Sequence, residues 1–253
     1  MNRLRLLPPL LVAAACLVPA APALAALVTV TGTHFDLTYD DTKLGLFGAP
    51  TLVGDSLFFT FSGFAASSLD GAGTAVTNST VSGLVLTAKD GYQFGALSLA
   101  EFGDYILTGS GSVVQVQGQL RAFNVANSIF TQTTSALQVS GATPLTLADG
   151  QSHDWVAGAT IDAGTAPVPT PFGPSTNVIL SQPGAMGVTI ENILTAYTDA
   201  QGSGPRTAFV EKKFAGVQLD VKPLTPVPLP AAAWLLAIGL VSGAAGLRRR
   251  RWR

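Results

Sequence analysis

Two carboxylates stand three residues apart, at Glu101 and Asp104, beside Tyr105. Paired carboxyl groups can act as acid and base in glycoside hydrolysis when both flank one glycosidic bond. The sequence does not fix their separation, and acids next to Gly103 are also typical of a solvated turn. Hydrolase chemistry at this pair therefore stays open as a hypothesis.

The two histidines, His34 and His153, have no metal-binding spacing. His153-Asp154 suggests a catalytic pair, but no nucleophile motif such as Gly-x-Ser-x-Gly accompanies it. A surface turn after Asp149-Gly150 is the favoured interpretation. We therefore predict no catalytic residue, no enzymatic activity and no cofactor.

Asp36, Asp40 and Asp41 form the densest acidic cluster. Carboxylate oxygens suit Ca²⁺, which makes these three residues the calcium candidates of the sequence. Their spacing does not match the EF-hand pattern Asp-x-Asx-x-Asx-Gly. A strand end followed by a turn is the favoured alternative.

Two further features have both a binding and a structural interpretation. Trp155, the one tryptophan outside the C-terminal segment, would either stack on a sugar or pack in the core. Lys212-Lys213 is a small basic spot, which predicts a solvated strand end.

Alternating apolar and polar residues predict the strands that position these groups. The alternation appears at 34–39, 113–123 and 217–222 and is less clean at 81–88, while 57–61 is a stronger apolar strand. In 113–123, one face carries Val114, Val116, Leu120 and Ala122, and the other carries glutamines. This arrangement predicts a sheet with one wet side.

Turn signals separate the predicted strands. Asp-Gly occurs at Asp70-Gly71, Asp90-Gly91 and Asp149-Gly150. We also expect short helical segments near 95–102 and 191–195, and a proline-rich surface loop at 163–174. Many short strands with glycine-rich turns predict an all-β domain over 26–223, either a β-sandwich or a jelly roll.

Charge is concentrated at the ends of the chain. The 253 residues have a net charge of -1 and only 11% charged residues, where about 25% is usual. Between residues 26 and 226 there are 7 Lys and Arg against 15 Asp and Glu, a net charge of -8. A body this acidic excludes a basic nucleic-acid binder.

The N-terminal 25 residues have the pattern of a secretory signal peptide. Arg3 and Arg5 precede an apolar run, and small residues follow it. Ala23 and Ala25 fit the small-x-small rule, which predicts cleavage before Ala26 by a signal peptidase. The single cysteine, Cys16, lies inside this segment, so the mature chain would have no disulfide.

The C-terminal segment combines a proline motif, an apolar run and a basic tail. The motif Val227, Pro228, Leu229 and Pro230 closes a proline-rich linker over 224–230. An uncharged stretch over 231–247 begins at Ala231, contains Trp234 and ends at Leu247, at the lower edge of a membrane-spanning length. The basic residues of the tail, 248–253, would act as a stop-transfer signal: Arg248, Arg249, Arg250, Arg251 and Arg253.

Together with the signal peptide, this three-part ending resembles the PEP-CTERM sorting signal. The string from Val227 to Leu236 is similar to a variant of that signal, with Leu229 where the family commonly has Glu. The resemblance implies export across the inner membrane of a Gram-negative bacterium. It also implies anchoring by the C-terminal helix and processing by an exosortase, in an organism that makes exopolysaccharide.

Three functional hypotheses follow, in descending order. The first is a non-catalytic protein of the cell surface or extracellular matrix, associated with exopolysaccharide in a biofilm. The second is a carbohydrate-binding module that recognises exopolysaccharide through a sheet face or loops. The third is a jelly-roll glycoside hydrolase.

Overall fold

The computed structural model describes residues 27–128, 132–162, 169–170, 173–174, 185–201 and 204–224. These residues form fifteen β-strands and three short 3₁₀ helices, the latter at Asp41–Lys43, Gly45–Phe47 and Val125–Asn127. The strands are β1 (Leu27–Thr31), β2 (Phe35–Asp40), β3 (Thr51–Val53), β4 (Ser56–Phe59), β5 (Ala65–Leu69), β6 (Gly73–Ala88), β7 (Tyr92–Thr108), β8 (Ser112–Asn124), β9 (Gln132–Ala136), β10 (Gln138–Val139), β11 (Ser152–Asp162), β12 (Pro169–Thr170), β13 (Gly173–Pro174), β14 (Ala185–Thr198) and β15 (Thr207–Pro223).

Two antiparallel sheets make up the sandwich. Sheet A has the order β1-β2-β6-β14-β8-β9, and sheet B has the order β10-β11-β7-β15-β4-β3. Strand β5 pairs with β15 beside β4, and β12 and β13 form a separate pair. The prediction of an all-β sandwich is confirmed.

The strands of the sandwich pair in a nested order. Counting β5, β6, β7, β8, β9, β11, β14 and β15 as first to eighth, the first pairs with the eighth and the second with the seventh. The third pairs with the sixth and the fourth with the fifth. This double-sheet order is jelly-roll-like. It places β14 and β15, which follow each other in sequence, at the centres of opposite sheets.

The core lies between the sheets and follows the strand period of two. Val114, Val116, Leu120 and Ala122 are buried as predicted. Trp155 is only 2% exposed, so its core interpretation is confirmed. Its indole Nε1 donates a hydrogen bond of 3.1 Å to the carbonyl of Glu211.

Two predicted helices are wrong. Residues 95–102 lie in β7, and residues 191–195 lie in β14. Ile190, Ile193 and Leu194 have the three- and four-residue spacing of a helix, but Asn192 occupies the inward position between Ile190 and Leu194. A polar residue at a core position hides the strand alternation.

The turn predictions agree with the structure. Gly71, Gly91 and Gly150 have φ values of 82°, 85° and 78°, in the left-handed region that glycine adopts without steric penalty. The proline-rich segment contains the short pair β12–β13, where no strand was expected. The rest of 163–174 lies outside the described residues.

The predictions for the two ends also fall outside the described residues. These are the signal cleavage site, the sorting motif, the anchor segment and the arginine tail. Within the described ranges, no helix has the length and apolar character to cross a membrane.

Candidate functional site: the outer face of sheet B

The paired carboxylates do not share a site. Glu101 points into the core and is fully buried, whereas Asp104 lies on the opposite side of sheet B. An offset of three along a strand puts two side chains on opposite faces. The prediction of a solvated turn here is wrong, because both residues belong to β7, which runs without a break from Tyr92 to Thr108.

The histidines form ordinary hydrogen bonds to carboxylates. His153 Nε2 lies 2.8 Å from Asp149 Oδ1, and this bond lowers the pKa of Asp149. The turn is at Asp149-Gly150 as predicted, but His153 and Asp154 already belong to β11. His34 Nδ1 lies 2.9 Å from Asp55 Oδ2.

The calcium candidates are divided between different partners. Asp36 lies 3.7 Å from the Lys89 ammonium. Asp40 ends β2, accepts a hydrogen bond from the Thr42 amide and pairs with Lys43 at 3.1 Å. Hydrogen bonds from Thr42 and Lys43 lower the pKa of Asp40. No group of three or more His, Cys, Asp or Glu suited to a metal occurs within the described ranges.

The two lysines at 212 and 213 have opposite environments. Lys213 is exposed and pairs with Asp104 at 2.5 Å. Lys212 is buried, and its Nζ lies 2.6 Å from Glu101 Oε2. The expectation of a solvated strand end is therefore wrong for Lys212. A lysine is almost never fully buried without a partner. The partner of Lys212 lies on another strand, so the local sequence did not indicate burial.

The outer face of sheet B presents side chains in four parallel rows. Cross-strand partners in an antiparallel sheet point to the same side, so the register defines each row. The rows are acidic (Asp154, Asp104, Glu211), apolar (Val156, Phe102, Phe214), small (Gly158, Ala100, Gly216) and polar (Thr160, Ser98, Gln218, Ser56).

Three phenylalanine rings dominate this face. Phe102 and Phe214 stack with centroids 4.7 Å apart at an interplanar angle of 14°. Phe58, directly opposite Gly216, lies 5.8 Å from Phe214. Phe102 is 46% exposed and its neighbour Val156 is 54% exposed. Large apolar side chains grouped on a solvent face are a sign of a binding surface.

A depression of ≈ 200 Å³ separates the rings from the polar row. Ala100 and Gly216 line it together with Phe58, Phe214, Ser98 and Gln218. A Cβ on Gly216 would lie 2.9 Å from Phe214 Cζ, so only glycine lets that ring lie against the strand. The result is an aromatic wall, a flat floor and an opposite edge of hydroxyl and amide groups.

No protein-family model and no curated protein matches the chain. Solved structures that resemble it include those of infectious bursal disease virus Gt strain and Gx strain. Both are 10% identical, with TM-scores of 0.21 and 0.20, and cover 88% and 90% of this chain. The VP2 subviral particle of the same virus is 11% identical with a TM-score of 0.20 and covers 74% of this chain. The chain spans 52%, 57% and 52% of those three chains, about half of their length. At TM-scores this low, the matches do not bear on the fold or function.

Proposed function

We propose that this is an exported, non-catalytic protein of the bacterial surface or extracellular matrix that binds exopolysaccharide. The observation that carries the binding proposal is the outer face of sheet B, where aromatic, small and polar rows run side by side. The export proposal rests on the sequence signals at the two ends.

The rows suit a sugar polymer for separate physical reasons. The apolar C–H face of a pyranose packs on an aromatic ring, and Phe102 and Phe214 provide such rings on the solvent side. The floor of Ala100 and Gly216 lets a flat ring approach the backbone. Ser98 and Gln218 then supply donors and acceptors for sugar hydroxyls.

The negative charge of the outer face of sheet B favours neutral polysaccharides as ligands. The acidic row of Asp154, Asp104 and Glu211 borders the rings, and Lys213 is the cation paired with it. The exported body has a net charge of -8 by its sequence. An anionic polymer would be repelled from this surface.

The binding proposal is tested by affinity electrophoresis of the purified mature protein through gels containing neutral polysaccharide. We expect retardation of the wild type and at least a tenfold weaker affinity for Phe214→Ser, equivalent to about 1.4 kcal/mol. Gln117→Ala, on the outer face of sheet A, is the matched control and should bind normally. The proposal would be rejected if the wild type, Phe214→Ser and Gln117→Ala were retarded equally. It would also be rejected if no matrix polysaccharide retarded the wild type.

The export proposal has an independent test. Mass spectrometry of both mature termini should find a first residue at Ala26 and a last residue within 227–230, as signal peptidase and exosortase processing would produce. Fractionation should place the protein at the surface or in the matrix after passage through the inner membrane. Recovery of the protein only from the cytoplasm would exclude export.

A further inference from the structure

A charged and polar triad crosses the core between the two sheets. Lys212 comes from β15 and Glu101 from the neighbouring β7, both in sheet B. Asn192 comes from β14, at the centre of sheet A. The side chains of Lys212 and Glu101 are 0% exposed, and Asn192 is also fully buried.

Each member of the triad contacts the other two. Lys212 Nζ lies 2.6 Å from Glu101 Oε2 and donates to Asn192 Oδ1. Asn192 Nδ2 donates to the same carboxylate oxygen at 2.9 Å. An ammonium cannot accept and a carboxylate cannot donate, so these partners fix which amide atom faces which group. The amine therefore contacts the carbonyl end of the amide, and the carboxylate contacts its nitrogen.

Aromatic rings surround the lysine. Nζ lies 5.2 Å, 5.5 Å and 5.3 Å from the ring centroids of Phe47, Phe61 and Phe64. These rings also pack edge to face on one another. An apolar cage of this kind excludes the water that would otherwise solvate an ammonium.

Burial favours the neutral forms of both ionisable groups. It raises the pKa of Glu101, with Lys212 and Asn192 opposing the shift. It lowers the pKa of Lys212 to about 8, although the nearby carboxylate opposes this shift too. Among the described residues, Glu101 Oε1 has no hydrogen-bond partner. A desolvated, deprotonated lysine is a good nucleophile.

We propose that Lys212 and Asn192 form an intramolecular amide bond, with Glu101 as the group that relays protons. The triad places a nucleophilic amine, an amide carbon one bond beyond the contacted Oδ1, and an acid–base group in one dry site. Fixed proximity of this kind replaces the need for an external catalyst.

The reaction balances without a cofactor. Lys212 Nζ first gives one proton to Glu101 and then attacks Asn192 Cγ, so that the Nζ–Cγ bond forms. Glu101 passes its proton to Nδ2, the Cγ–Nδ2 bond breaks, and the nitrogen leaves with its electron pair as ammonia. Glu101 then takes the surplus proton from Nζ. The products are an amide, ammonia and a neutral carboxyl group, so the buried ion pair disappears.

The bond would join the two sheets at their central strands. Cys16, the single cysteine of the sequence, precedes all fifteen described strands, so these strands cannot be linked to one another by a disulfide. An amide between β14 and β15 would supply a covalent tie that is insensitive to reduction.

The test is mass spectrometry of tryptic peptides from the purified, denatured full chain. Without the bond, trypsin releases 122–206 and 207–212 as separate peptides. With the bond, trypsin does not cleave after the acylated Lys212, and peptide 122–206 stays joined to peptide 207–213. The joined product is lighter than the sum of the two peptides by about 17 Da, the mass of one ammonia. This readout does not depend on where the chain is processed or on what it binds. It can therefore fail or succeed independently of the proposed function.

Three variants test which residues the bond requires. Asn192→Ala should lose the joined peptide completely. Glu101→Gln should also lose it, although amine and amide are both still present. Lys213→Arg, next to the site but outside the core, should keep it. Quantitative cleavage after Lys212 in the wild type would overturn the proposal. Loss of ammonia at Asn192 with normal cleavage after Lys212 would do so as well, since it would indicate ring closure onto the local backbone.

Discussion

Strands β7 and β15 have a charged pair, Glu101 and Lys212, on their inner face and two aromatic rings, Phe102 and Phe214, on their outer face. This reverses the usual partition of charged and apolar residues. Strand β8 of sheet A follows the usual partition, with Val116 buried and Gln117 exposed. The two departures lie back to back on one strand pair, β7 and β15.

A single extra residue creates the reversal. Lys212 and Phe214 are two apart and would share a face in a regular strand. The register shifts between them, from Gly103 opposite Lys212 to Phe102 opposite Phe214, which makes Lys213 the extra residue of a β-bulge. The bulge sends Lys212 into the core and Phe214 to the solvent.

Deletion of Lys213 should therefore have the largest effect on the difference between the inner and outer faces of β7 and β15. Without the bulge, either Lys212 must leave the core or the remainder of β15 must turn its buried side chains outward. We expect no cooperative unfolding transition in urea and no fixed near-ultraviolet signal from Trp155. Lys213→Ala keeps the residue count and should unfold like the wild type. A folded deletion variant would show that the bulge does not set the two faces.

Lys212→Met should have the next largest effect. It leaves Glu101 and Asn192 without their buried partner, and breaking such a pair typically costs about 3–5 kcal/mol. The loss in the free energy of unfolding is measured by urea denaturation of Lys212→Met and of the double variant Glu101→Leu with Lys212→Met. The double variant should recover part of the loss, because it removes both ionisable groups from the core. If Lys212→Met were as stable as the wild type, the buried triad would not contribute to the stability of the fold.

The sequence predicted the regular part of the molecule better than this strand pair. The alternation in 113–123 correctly identified the buried face of β8, and Asp-Gly pairs correctly marked turns. The same rules misplaced Glu101 and Lys212, since charged side chains are assigned to the surface unless their partners are known, and they predicted a helix at 191–195, where Asn192 lies in a strand. Those partners come from three strands, and the nested pairing that assembles them cannot be inferred from spacing along one chain.

Two separate Gly→Ala variants, one on each face of sheet B, should have intermediate effects on stability. In Gly103→Ala, the new Cβ would meet the Glu211 carbonyl oxygen at 1.9 Å and the Trp155 ring at 2.8 Å. Overpacking of this kind should destabilise the protein by about 2–3 kcal/mol in urea. In Gly158→Ala, in the small row of the outer face, the atom nearest the new Cβ is the Leu99 carbonyl oxygen at 3.2 Å, so the loss of stability should be smaller. Equal losses would mean that the two faces are packed alike.

Phe102→Ser should have the smallest effect on stability and a larger one on binding. Phe102 is 46% exposed, and its ring stacks on that of Phe214. Loss of an aromatic pair costs about 1 kcal/mol, so the urea midpoint should move little while affinity for neutral polysaccharide falls about tenfold. Phe47→Ala, inside the cage around Lys212, should instead destabilise by about 3–5 kcal/mol. If Phe102→Ser destabilised the protein as much as Phe47→Ala, the outer rings would be structural, and the contrast between the faces would no longer point to a ligand.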